Sequence, residues 1–118
     1  MRNLLLFAIF SLFLSNCTQD LGYHAAIQGK WKVTNWTTDN GGNRPVESVN
    51  FDFHGDTYDA KLGNRDESGS FRLVGDKLYT QAEGQQEIMV KIMTLAADSM
   101  MFEMNRGGVR EVMTLKRP

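Results

Sequence analysis

Between Gly29 and Arg117, apolar and polar side chains alternate in short bursts, each cut off by turn-forming residues, with no long helical period. Alternation with a period of two marks a strand with one face buried. Residues 30–36 read as the first strand, with Trp31 and Val33 on one face and Lys32, Thr34 and Trp36 on the other. Residues 39–45 form a polar loop. Val49, Phe51 and Phe53 share the inward face of a second strand, and His54-Gly55-Asp56 turns it into a third that carries Tyr58, Ala60 and Leu62. Residues 63–69 predict a second polar loop. Phe71 and Leu73 then lead into the turn Val74-Gly75-Asp76-Lys77, and residues 78–81 return from it. Residues 87–95 are the longest strand candidate, residues 99–105 follow after Ala96-Ala97-Asp98, and Arg106-Gly107-Gly108 is a hairpin signal before residues 109–116.

Eight strands joined mostly by short turns predict an all-β antiparallel up-and-down meander. Closing it into a barrel removes the exposed edges that invite aggregation. One segment departs from the strand pattern. Leu21, His24, Ala25 and Gln28 recur at helical spacing, weakened by Gly22, and predict a short helix or turn before the first strand that closes one mouth of the barrel.

The N-terminal pattern is different again. Met1, Arg2 and Asn3 precede an apolar run over residues 4–14, interrupted only by Ser11. A short basic segment followed by an apolar core of this length is the anatomy of a secretory signal. It is too short for a comfortable membrane span, which needs roughly 20 apolar residues. A buried N-terminal helix is the competing reading, but the run has no polar face until Ser15. Leu14-Ser15-Asn16-Cys17 resembles a bacterial lipobox, with Asn16 where the usual pattern has Gly or Ala. The resemblance implies a diacylated Cys17 as the first residue of the mature chain. Ordinary cleavage would instead leave the chain's single cysteine as a lone thiol in an oxidising compartment. The expected organisation is a signal peptide over residues 1–16, a lipidated cysteine and linker or helix over 17–28, and a barrel over 29–117. The expected location is the outer membrane, with the leaflet open.

Composition narrows the function classes. Cleavage before Cys17 leaves 102 residues with 12 basic and 14 acidic side chains, enough for one domain with a modest core. The cations form no continuous patch and no aromatic-interleaved basic stretch, which argues against nucleic-acid binding. With no disulfide available, stability rests on apolar packing and a closed hydrogen-bond network.

Candidate chemistry is sparse. Asp52, His54 and Asp56, with Asp59 beyond, could be read as a metal or acid–base set. The chain turns at Gly55-Asp56, however, where Asp commonly serves the backbone. His24 is isolated, no serine has a plausible His and acidic partner, and no glycine-rich phosphate loop is present. The expectation is therefore no enzyme, no cofactor and no metal site. The last three strands are instead rich in methionine. Met100, Phe102 and Met104 share one face, and Met89, Met93, Met101 and Val112 oppose the inward series. Methionine fills irregular cores and also makes adaptable binding surfaces.

Gly29-Lys30-Trp31-Lys32-Val33, the hairpin Phe51-Asp52-Phe53…Gly55-Asp56-Thr57-Tyr58, Gly75-Asp76-Lys77-Leu78 and the ending Leu115-Lys116-Arg117 together resemble the small lipocalin-like domain lipoproteins of Bacteroidota. The resemblance implies an eight-stranded up-and-down barrel. The larger lipocalins share the Gly-x-Trp and carry small apolar ligands. Three readings follow. The first is a binding module for a small hydrophobic molecule, with Trp31, Phe51, Phe53, Tyr58, Phe71, Met100, Phe102 and Met104 as the binding residues. The second is a filled barrel that meets a protein partner through Met89, Met93, Met101 and Val112. The third, an enzyme, requires Asp52, His54 and Asp56 to converge.

Overall fold

The alternating segments form eight antiparallel strands, each hydrogen-bonded to the next, with the last closing onto the first. In the computed structural model the described residues are 18–118; the predicted signal segment and Cys17 lie outside them. The order is α1 (Thr18–Ile27), β1 (Gly29–Thr38), β2 (Val49–His54), β3 (Thr57–Leu62), β4 (Arg65–Val74), β5 (Lys77–Ala82), β6 (Ile88–Leu95), β7 (Ser99–Arg106) and β8 (Val109–Lys116). Closure leaves no unpaired sheet edge. No described helix is long and apolar enough to cross a membrane.

Trp31, Val33, Val49, Phe53, Tyr58, Phe71, Leu78, Val90, Ile92, Met100, Phe102, Met113 and Leu115 pack with Ile27 into one core. Burying an aliphatic or aromatic side chain of this kind is worth about 1.5–3 kcal/mol. That gain offsets the entropy of ordering strands that no disulfide constrains.

Two departures from the predicted pattern have identifiable causes. The register of β1 against β8 slips between Val33 and Asn35, so Thr34 is an inserted bulge residue and Trp36 lies opposite Met113. A bulge inverts the phase of whatever follows it. Trp36, expected outside with Lys32 and Thr34, therefore packs against the core alongside Trp31 and Val33. The second departure is the polar loop expected over residues 63–69. Only a tight turn separates β3 from β4, and Arg65 to Gly69 pair with Leu62 to Tyr58. Main-chain pairing with a hairpin partner does not require apolar side chains, and Gly69 marks a close backbone approach. A Cβ on Gly69 would collide with the Gln81 carbonyl oxygen and Ala82 Cα of β5.

The register sorts the strand termini into two ends. At one end lie Gly29, the β2–β3, β4–β5 and β6–β7 turns and Arg117, and α1 closes it. Ile27 is fully buried there and accepts a hydrogen bond through its carbonyl from Trp31 Nε1, at 2.8 Å. The Arg117 guanidinium stacks 3.7 Å above the Trp31 ring and donates to the carbonyls of Ala26 and Lys30. Gly29 makes this possible. Its φ is 104°, a conformation that side chains strain, and a Cβ would lie 2.9 Å from Arg117 Nη1 and push the guanidinium aside. The other end carries Thr38, Leu62, Arg65, Ala82, Ile88, Arg106 and Val109, and it is open.

Candidate binding site at the open end of the barrel

A cavity of about 380 Å³ runs inward from the open end. This lies near the lower limit of ligand pockets, roughly 300–1,000 Å³. Its walls come from inward-facing positions: Trp36 of β1, Phe51 and Phe53 of β2, Tyr58 and Leu62 of β3, Leu78 of β5, Val90 of β6, Phe102 and Met104 of β7, and Met113 of β8. Arg65, Glu67, Thr80, Gln85, Ile88, Asn105 and Arg106 form the mouth.

Of the expected binding residues, Phe51, Phe53, Tyr58, Phe102 and Met104 meet on this wall. Trp31, Phe71 and Met100 are buried in the packed layer toward the closed end. Phe71 stacks on His24 of the helix, with ring centroids 5.7 Å apart, and meets Phe53 edge-on at 5.1 Å. The Thr34 bulge brings Trp36 inside, beside the opening, whereas Trp31 sits at the helix-capped end.

Two carboxylates face inward near the mouth, and the sequence reading picked out neither. Tyr58 donates its phenol to Glu67 Oε2 at 2.8 Å. Burial, reinforced by the neighbouring carboxylate, pushes the phenol well above its usual range and keeps it a donor. Glu111 is 1% exposed. Its Oε1 accepts from Trp36 Nε1 at 2.9 Å and from Arg44 Nε at 2.7 Å, while its Oε2 lies 3.5 Å from Arg106 Nε. Burying a carboxylate is tolerated only with such partners. The available signal was phase. Glu111 shares the inward register of Met113 and Leu115 on β8, where an unpaired charge would be untenable.

Beside the mouth, sharing Arg106 with it, is a polar cleft of about 300 Å³ lined by Thr38, Asn40, Asn43, Arg44, Val109 and Glu111. A larger solvent-open groove, about 640 Å³, lies across β1–β4. Its outward residues are a mosaic of Lys30, Lys32 and Lys61 with Asp52, Asp59 and Asp66, opposite charges with no single preferred partner.

The Asp and His residues do not assemble into a catalytic set. His54 pairs through Nε2 with Asp59 Oδ2 at 2.9 Å, and its Nδ1 is 3.0 Å from Thr57 Oγ1. Asp59 also accepts from Ser68, and these hydrogen bonds, Ser68 first and His54 second, hold its carboxyl below the usual range. Asp56 instead meets His24, at 3.0 Å. The titratable pairs thus fasten turns and the helix. Among the described residues no group of three or more His, Cys, Asp and Glu side chains is placed to hold a metal ion.

On the outer wall, Met89 and Met93 of β6 are exposed and Met101 and Val112 are half-buried, while the exposed Ile88 shares the inward phase of Val90 and Ile92. The register places the charged pair Lys91 and Glu103 between Met89 and the Met93–Met101 neighbourhood. Ile88 and Met89 border the mouth.

The barrel has solved counterparts. A lipocalin-like protein from Bacteroides uniformis superposes with a TM-score of 0.60 at 17% identity, over 75% of this chain and 96% of that one. An uncharacterised protein from Bacteroides eggerthii does so with a TM-score of 0.61 at 16% identity, over 76% and 98%. A redesigned β-barrel matches with a TM-score of 0.55 at 16% identity, over 80% and 94%. At these identities the likeness is one of fold. No curated protein matches the sequence. The lipocalin-like domain family does match, over residues 27–102, from the buried Ile27 to Phe102 on the cavity wall. Family membership and the apolar calyx support a non-enzymatic role, and the chain belongs to the lipocalin-like domain family.

Proposed function

We propose that this protein is an envelope-tethered binding module that takes a small hydrophobic molecule into the open end of its barrel. The observation that carries the proposal is the wall formed by Phe51, Phe53, Tyr58, Phe102 and Met104, five side chains from three strands turned toward one cavity. Apolar walls with a few polar groups at the rim are the usual build of a small-molecule site. The tether rests on the apolar run over residues 4–14 and on Leu14-Ser15-Asn16-Cys17. With α1 starting at Thr18 on the closed end, a lipid on Cys17 turns the mouth away from the membrane that holds it. Acyl chains add roughly 0.8 kcal/mol of membrane affinity per buried methylene.

Residues 18–118 contain the whole closed barrel and its helix, and they suffice for the test. The hydrophobic fluorophore N-phenylnaphthylamine should bind saturably at one site per chain. Met104→Trp, which places a large ring on the wall near the mouth, should abolish that binding while the melting temperature holds. Non-saturable binding, or binding indifferent to Met104→Trp, would overturn the reading. A second reading, a protein partner met on the outer wall, is favoured by the exposed Met89 and Met93. It gains if the fluorophore fails while a Met89→Lys, Met93→Lys variant loses co-purifying protein.

A further inference from the structure

We infer that the ligand is an amphiphile with an anionic head group, held by Arg44 and Arg106 while its chain lies in the apolar cavity. This rests on the reading of the cavity as a ligand site and specifies which ligands it prefers.

Two concavities of different character meet at Arg106. One is the apolar cavity; the other is the polar cleft behind the mouth. The boundary between them is the hydrogen bond from Trp36 Nε1, on the cavity wall, to Glu111 Oε1, in the cleft. A molecule whose apolar end enters the cavity meets at the rim Arg106, which lines both spaces.

The charge at the junction is built from the inside outward. Glu111, 1% exposed, engages both arginines through Nε: Arg44 at 2.7 Å and Arg106 at 3.5 Å. The Nη groups at the far edge of each guanidinium make no hydrogen bond to any described residue, and the side chains are 48% and 55% exposed. Arg44 is further held 5.4 Å over the Trp36 ring. A buried carboxylate thus fixes two guanidiniums that keep spare donors in the cleft. Two cations against one anion leave one positive charge unmatched. Arg65 and Glu67 across the mouth, 3.9 Å apart, balance each other. Thr38, Asn40 and Asn43 contribute polar groups to the cleft, and its one acid is Glu111, already engaged. Planar guanidinium forks suit carboxylate and phosphate oxygens alike.

The test is calorimetric titration of residues 18–118 with four amphiphiles of one chain length: decanoate, decyl phosphate, decanol and decylamine. The two anions should bind on the order of ten-fold more tightly than decanol, as expected for one charge-assisted contact. Whichever anion binds better identifies the head group as carboxylate or phosphate. The preference should shrink as salt is raised, because the guanidiniums are half-exposed. Arg106→Gln should remove most of it and Arg106→Lys should keep part of it, with decanol still bound by both variants as the sign that the cavity persists. Decanol binding as tightly as the anions, or an anion preference untouched by Arg106→Gln, would overturn the inference and leave the proposed function standing. If none of the four binds, the proposed function itself fails.

Discussion

Strand β1 carries two tryptophans to the same interior face, and their surroundings differ completely. Trp31 is fully buried, with its indole N–H on the Ile27 carbonyl and Arg117 stacked on its ring. Trp36 is partly buried, lines the cavity and gives its N–H to a buried carboxylate that two arginines also hold. At the first, an arginine is used to seal; at the second, two arginines surround an opening. The closed end is packed and sealed, whereas the open end places a buried carboxylate and two arginines beside a cavity.

The largest expected effect breaks the sealed side. Trp31→Ala should destabilise residues 18–118 by about 3–5 kcal/mol, the range for aromatic truncation in a packed core. In urea melts the midpoint should fall sharply. A loss below about 1 kcal/mol would mean that the closed end is not where the fold is anchored.

At the open end the corresponding change is Glu111→Ala. Removing one partner of a fully buried ion pair costs about 3–5 kcal/mol because the other charge is stranded. Here Arg44 and Arg106 are both about half-exposed and can be solvated, which leaves the orphaned Trp36 N–H as the main penalty. About 1–2 kcal/mol is expected. A loss as large as that of Trp31→Ala would erase the contrast between the ends.

How much of this was legible beforehand depends on whether a feature is periodic. The inward series Val49-Phe51-Phe53 and Met100-Phe102-Met104 repeats every second residue, and the eight strands and their closure follow from such series. The Thr34 bulge has no period. It is a register fact, visible only when β1 is laid against β8, and it turns Trp36 from the expected outer face onto the cavity wall. The polar half of β4 was read as loop because near the open end both faces can meet water, so apolar alternation fades while main-chain pairing continues. Glu111 was passed over for a third reason. Its inward phase was readable, but the partners that make it tolerable, Trp36 and Arg44, lie 75 and 67 residues away.

Met104→Ala sharpens the contrast on the open side. Met104 is only partly buried and already borders the cavity, so its removal widens an existing space and creates no new sealed void. The cost should be about 1 kcal/mol, below the usual 2–5 kcal/mol for truncating a core methionine, because the void term is small. Thermal melts with and without decanoate would separate this from an effect on binding.

The smallest effect tests whether neutral contacts or charge hold the helix over the closed end. His24 and Asp56 pair at 3.0 Å, but the Asp56 side chain is 87% exposed, where ion pairs are screened and side-chain ordering offsets the attraction. Two other contacts made by the helix and its linker are better placed. Gln28 exchanges hydrogen bonds with both the N–H and the carbonyl of Gly55, at 2.8 and 3.0 Å, and the His24 ring stacks on the buried Phe71. Asp56→Asn should therefore change stability by less than about 0.5 kcal/mol, whereas Gln28→Ala should cost about 1 kcal/mol for its paired hydrogen bonds. Amide exchange at Trp31 and Val33 would register either substitution. Exchange accelerated by Asp56→Asn more than by Gln28→Ala would make the helix an electrostatic clasp. The reverse order would make it a lid held by neutral contacts, with Ile27 and Phe71 sealing the end opposite the mouth beside Trp36.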